Sequence, residues 1–542
     1  MYKRQLCYFV VVCLYAVNAP IWDEYYSVLE YFNHFLSSNS FLEKATIFFT
    51  NQHNGHRLYL NNLLLTAFYY VFGQINFKAL TLIGNLFLVG IFYVFYKAYK
   101  LESYKWNVLV VATLLVNFQY YTVSVMEIAS IEFFGAFFLV FLSLYLLTKE
   151  KKVAFFIAIF LGLLGAYTCA HGVLLAPVAF LFLILKKNYK KAIVWFVINA
   201  PLIYVYTLDL KKGWGSEKID VFANLFQHTS EVTLFFLKML GANILVFGDL
   251  RSVTPYIGAL ILLITVIQLF KLFQKKELLL IVSLLLILGS LLLISVGRLQ
   301  LALPYEFRFR LYSSILIVLL YISFLRLYNS QLNSIIQKII VLCSVFYFVS
   351  TFFTYRDYLS NWHNRYQVNK DCYLTNTIQS YSYRCPSQKK AVRFLKEAKE
   401  LGYYTHHTTS CVVKQSEIGD ELTIDLKNLI TSNAFILSAT INLIDSNLIV
   451  KGWGFLKGFH NLENEYFLMF TNNENQILFE TLDVIRPNIR FRVNAPNDYI
   501  GFEKVIPKTC LKKGSYQINV LLYAKDEKVC YSKLMYQNYQ ID

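Results

Sequence analysis

Residues 277–296 read ELLLIVSLLLILGSLLLISV, with Lys275 and Lys276 before them and Gly297 and Arg298 after. Past Glu277 the run carries no charge. At ~1.5 Å per residue, about 20 apolar residues match the hydrocarbon core of a bilayer, so this stretch is expected to cross a membrane as a helix. Apolar runs of similar length recur from Leu6 to about Phe353 and then stop. The bulk composition agrees: of 542 residues 56% are hydrophobic and 16% charged, and the mean hydropathy is +0.45. A soluble domain of this size has no place to hide that much apolar surface.

The net charge of +17 fits an anionic partner only if the cations form a patch. They sit instead in short connectors between apolar runs, as topology signals do, so no nucleic-acid partner is expected. Spans are expected near 5–20, 76–97, 105–124, 129–148, 153–169, 171–186, 191–208, 253–272, 277–296, 309–325 and 334–353. With the N-terminus inside, every basic connector then falls on the cytoplasmic side: Lys97, Lys100 and Lys105; Lys149, Lys151 and Lys152; Lys186, Lys187, Lys190 and Lys191; Lys271, Lys275 and Lys276. This requires that Leu58 to Phe72 and Val232 to Phe247 lie at the outer interface without crossing. Both are short, and they carry Asn61, Asn62, Lys238 and Asn243. The N-terminus, with a basic Met1 to Arg4, an apolar Leu6 to Val17 and small residues from Ala16 to Ala19, reads either as a cleaved signal peptide or as an uncleaved first span. The second reading is the one that fits the remaining topology.

The expectation is therefore a polytopic α-helical membrane protein of about eleven transmembrane helices, residues 1–353, with an outer loop at 21–75. A linker and helical segment follows at 354–430, then an extracytoplasmic β-sandwich-like domain at 431–542. In the tail, Ser387 to Leu401 reads as an amphipathic helix closed by Gly402, and alternation such as Tyr516 to Tyr523 reads as one of seven or eight strands. Of nine cysteines, five lie in the tail, where Cys372 with Cys385 and Cys510 with Cys530 can pair if the tail is outside. None has C-x-x-C spacing.

Polar residues gather where the chain meets the outer surface. Asp23 and Glu24 follow the first span; Asp23 reads either as a helix N-cap or as a general base. Gln52-His53-Asn54-Gly55-His56-Arg57 packs two imidazoles and a guanidinium into six residues, suited to a phosphate or to a solvated loop. His53 and His56 lack His-x3-His spacing, so no metal ligand set and no cofactor is read here, and a divalent metal has no support. Glu127 and Glu132 stand five apart, off a common α-helical face; Glu127 is the one expected to face the site, in either a structural or a catalytic role. His171-Gly172 marks a tight turn that pins an imidazole at the outer surface. Arg298, Arg308 and Arg310 surround the last outer loop, either to clamp a phosphate or to anchor the next span. Gly452-Trp453-Gly454-Phe455 offers an exposed aromatic or an ordinary strand aromatic.

The order of these features resembles the GT-C class of polyprenyl-phosphate-dependent glycosyltransferases, in the layout of protein mannosyltransferases and lipid A aminoarabinose transferases. The resemblance covers residues 1–353 and rests on order and topology. It implies that Asp23 is the general base, with Glu24 the acid beside it. Glu127 takes the second acidic position, where Asp is more usual. His171 and Arg308 or Arg310 meet the donor phosphate. The stretch from Gln52 to Arg57 resembles an Asn-Glu-His-Arg motif of uncharacterised bacterial relatives, with Gly55 in place of the Glu. The implied activity is an inverting hexosyl or pentosyl transfer from a polyprenyl-phosphate-sugar donor to a glycan, lipid or protein acceptor outside a bacterial plasma membrane. A transporter or flippase of lipid-linked sugars, or a glycan polymerase or ligase, is the alternative.

Overall fold

The computed structural model describes residues 2–53, 56–101, 106–208, 221–299, 302–328, 334–374, 388–404, 430–431, 435–444, 447–456, 465–472, 476–484, 501–507, 511–524 and 529–541. Two compact units emerge: residues 1–18, 23–359 and 400–403 form one, and 19–22, 360–399 and 404–542 the other. The expected disulfides involve Cys385 and Cys510, which lie outside the described residues.

Among the described residues, six helices are long and apolar enough to cross a membrane: Phe77–Ala98, Glu127–Leu147, Thr254–Gln274, Leu278–Arg298, Phe307–Tyr328 and Ile335–Ser360. They mark an integral membrane protein. Four more of the expected spans coincide in place with the helices Tyr2–Tyr15, Lys152–Ala166, Leu175–Leu185 and Tyr189–Leu208, of which the first three, at 14, 15 and 11 residues, fall short of span length and the last carries Pro201 inside it. The span expected at 105–124 is broken into Asn107–Leu115 and Tyr121–Val125. Asn117 explains the break: its Nδ2 donates to Leu114 O at 2.8 Å and its Oδ1 accepts from Gln119 N–H at 3.0 Å, a local turn that competes with the helix. The helix expected to end at 353 runs on from Ser334 to Leu374.

Neither segment set aside as interfacial reaches span length. Tyr59–Phe72 has 14 residues, about 21 Å against a core of about 30 Å, and ends at Gly73, whose φ of 70° closes it with a bond to Tyr69 O. The other divides into Thr229–Leu240 and a 3₁₀ turn, Ala242–Phe247. Thr229–Leu240 lies so close to Thr254–Gln274 that a Cβ on Gly241 would overlap Thr254 O, and one on Gly258 would overlap Leu237 O.

Basic connectors meet in pairs. Lys186 Nζ reaches Thr148 O at 3.5 Å and Lys191 Nζ reaches Glu150 O at 3.4 Å. Lys275 Nζ donates to Leu327 O, and Arg326 pairs with Glu277 at 3.0 Å. Between helices, Tyr8 OH lies 2.7 Å from both Asn85 Oδ1 and Ser124 Oγ. Asn85 Nδ2 donates to Ser124 O, so three helical segments share one buried polar knot.

The amphipathic helix Gln388–Glu400, followed by Gly402 with φ of 75°, belongs to the second unit up to Lys399. After the short hairpin β1 (Gln52–His53) and β2 (His56–Arg57) of the first unit, the described residues of the second form nine further strands. One sheet orders β3 (Ile430–Thr431), β11 (Val529–Ile541), β10 (Gly514–Ala524), β6 (Glu465–Thr471) and β7 (Gln476–Glu480). The other orders β4 (Phe435–Ile444), β5 (Asn447–Leu456), β9 (Gly501–Pro507) and β8 (Leu482–Val484). Leu448 and Val450 from one sheet share a core with Leu468, Phe470, Ile518 and Val520 from the other. Strand alternation puts Trp453 on the face opposite Leu448 and Val450, where it is half-buried, not exposed.

Candidate functional site

The chain enters the site through a bend. Trp22 takes φ of 49°, and the Asp23 carbonyl then accepts from Tyr26 N–H, Ser27 N–H and the Ser27 hydroxyl, starting a π-helical turn at Tyr25–Glu30. A π turn spends an extra residue and is common at functional sites. The two adjacent acids ahead of it differ in exposure. Asp23 stays 39% exposed with Oδ1 3.2 Å from His53 Nε2, whereas Glu24 is fully buried.

His53 arrives on the β1–β2 hairpin, stacked 6.1 Å from the Tyr26 ring. His53 pairs directly with His56, and Gln52 with Arg57. Directly paired residues share a face and neighbouring residues alternate, so the two imidazoles lie together while Arg57 faces the other way. Arg57 is buried: it donates to Phe49 O at 3.1 Å and Tyr206 O at 3.5 Å and packs between the Tyr167 and Tyr206 rings. It is an anchor for the hairpin, not a phosphate ligand. Arg57→Ala is expected to lower stability by about 2–3 kcal/mol, from lost ring stacking and charge-assisted hydrogen bonds, without a specific loss of donor affinity. Thermal unfolding beside a donor-binding titration checks this.

His56 Nε2 faces Arg298 Nη2 at 3.3 Å. Burial first, then the charges of Arg298, Arg308 and His53, push its pKa down to about 3 against the pull of Asp23. His56 is thus neutral at ordinary pH and offers Arg298 an acceptor.

The two glutamates exchange the places expected of them. Glu127 opens the helix from the other acid's side: its N–H donates to Glu24 Oε1 at 2.8 Å, and both its own carboxylate oxygens are buried with no hydrogen bond. Glu132 instead faces the histidines, hydrogen-bonded to the Cys169 thiol and within electrostatic reach of Arg308, His53 and Asp23. Glu132 lies within a second π-helical turn, Ser130–Gly135, while Glu127 starts the α-helical segment before it, so the two acids reach different partners.

His171 is buried rather than held at a surface. Its Nδ1 meets Tyr312 OH at 2.9 Å, its ring stacks on Phe137 at 4.2 Å, and its Nε2 has no hydrogen-bond partner. Arg308 pairs with Glu306 at 2.6 Å and remains partly exposed. Arg310 is buried in a cage, donating to Tyr305 O and Tyr355 OH and lying over the Phe307 ring at 4.6 Å. It anchors its helix.

The structure thus brings together Asp23, His53, His56, Arg298 and Arg308, with Glu132 and Cys169 added. Glu24 and Glu127 form a buried acid pair, and Arg57 and Arg310 serve packing. The Asn54-Gly55 dipeptide is the strongest short signal for a two-residue hairpin and would have revealed the His53–His56 pairing; Glu132 and Cys169 carried no comparable signal. No protein-family model, curated protein or solved structure matches the chain.

Proposed function

We propose that the chain is a membrane glycosyltransferase that moves a sugar from a polyprenyl-phosphate donor to an acceptor hydroxyl or amine on the extracytoplasmic face, with inversion at the anomeric carbon. The observation that carries this reading is the half-exposed Asp23 carboxylate, 3.2 Å from His53, in the same cluster as the guanidiniums of Arg298 and Arg308. A carboxylate reachable by an acceptor can take its proton as the new glycosidic bond forms. Guanidiniums close by stabilise the phosphate that leaves with the bonding electrons, and the lipid tail of that phosphate stays in the bilayer. In this reading the chain crosses the membrane eleven times from a cytoplasmic N-terminus. The basic connectors face the cytoplasm, and the cluster and the tail lie outside.

Proteoliposomes loaded with a labelled lipid-linked sugar test the reading. A transferase is expected to release free polyprenyl phosphate and label the acceptor. Movement of the intact donor across the bilayer without its consumption would assign the chain to carriers instead.

A further inference from the structure

Three donors of different chemistry converge beside the transfer site, and none has a role in the transfer step. A ring nitrogen of His56, a Glu132 oxygen and Cys169 Sγ all lie within 4.8 Å of one another. They come from three separate elements: strand β2, the π-helical turn at Ser130–Gly135 and the extended Cys169 that precedes Ala170–Val173. Tetrahedral zinc holds N, O and S ligands roughly 3.3–3.6 Å apart, as its bond lengths of about 2.0–2.3 Å require. The 4.8 Å cluster therefore has to contract by about 1.5 Å at most.

The hydrogen bond between Glu132 and the Cys169 thiol satisfies those two groups without an ion. It does not satisfy His56. Nε2 faces Arg298, while Nδ1 is buried with no hydrogen-bond partner among the described residues. Buried ring nitrogens are nearly always paired, so an unpartnered one on a histidine clustered with a carboxylate and a thiol asks for a partner.

We propose that His56, Glu132 and Cys169 bind one zinc ion, with a fourth position left for water or an anionic oxygen. The Cys169 thiol gives up its proton to solvent on binding, and the resulting thiolate with the Glu132 carboxylate balances the two charges of the ion. Zinc bound at Nδ1 moves the imidazole proton to Nε2, which frees Arg298 from its acceptor. A thiolate in the set selects zinc over magnesium or calcium, which prefer all-oxygen sites. Three protein ligands and an open position is the pattern of zinc sites that meet a substrate, as opposed to closed structural ones.

The full chain in detergent is titrated with cobalt(II), which occupies zinc sites and colours them. One equivalent is expected to give tetrahedral d–d bands and a sulfur-to-cobalt charge-transfer band. Zinc is expected to displace the cobalt and raise the melting temperature, and magnesium to do neither. Cys169→Ser is expected to remove the charge-transfer band, and Glu132→Gln to weaken binding at least 10-fold with the band retained. Wild-type protein without the band, or a band that survives Cys169→Ser, overturns the proposal. The readout is independent of sugar transfer: a chain that binds cobalt through Cys169 and transfers nothing refutes the transferase reading alone.

Discussion

Asp23→Asn is expected to lower sugar transfer by about 10²–10⁴-fold, the range that a positioned general base contributes, and to leave protein level and melting temperature unchanged. Asparagine keeps the shape of the side chain and an oxygen that can still accept from His53, now 3.2 Å from the carboxylate. It removes only the basic lone pair. Because Asp23 is 39% exposed, the pair with His53 is screened by solvent and its loss has little effect on folding. The assay is product analysis of membranes carrying equal amounts of the two proteins. Unchanged product would take Asp23 out of the mechanism and move attention to the buried Glu24 and Glu127, which no acceptor reaches without rearrangement.

The contrast between Asp23 and Glu24 also shows what the sequence could and could not reveal. Hydropathy and charge placed five of the six long helices within a few residues, and the start of the sixth, because span length and connector charge are one-dimensional properties. Gly73 and Gly402 were readable as helix ends, since each takes the positive φ that glycine tolerates best. The break at Asn117 was not readable, because a side chain that satisfies its own turn looks the same in sequence as one that faces a neighbour. The site failed in a more specific way. Helical-wheel reasoning assumes 3.6 residues per turn, and both acidic motifs lie at π-helical turns. Glu24 is buried just before the first of them, and Glu132, inside the second, is the acid that reaches the histidines. The packing of Arg57 and Arg310 was hidden for another reason: the aromatic cages that hold them are built from Tyr167 and Tyr206, and from Phe307 and Tyr355, in part far away in the chain.

Gly172→Ala is expected to destabilise the membrane unit by about 3 kcal/mol, the upper end of the cost of overpacking. The new Cβ would overlap the Gly165 carbonyl and come within 2.8 Å of Ala166 N. These are backbone atoms of the preceding helix, which cannot swing aside as a side chain can. That helix has little room to retreat, because Gly165 itself sits against Val140. Relief has to come from the turn, and the turn carries His171, whose contacts with Tyr312 OH and the Phe137 ring require it to stay in place. Transfer is therefore expected to fall along with the melting temperature in detergent. Gly297→Ala makes the comparison sharp. Gly297 lies in the last turn of Leu278–Arg298 with nothing within 4 Å of a new Cβ, so alanine there removes backbone freedom from the unfolded chain at no steric cost. It is expected to hold or raise stability, by about 0.5–1 kcal/mol. If both substitutions lowered the melting temperature equally, crowding between the two helices at Gly172 would not be the cause, and the tight turn would lose its role in holding His171.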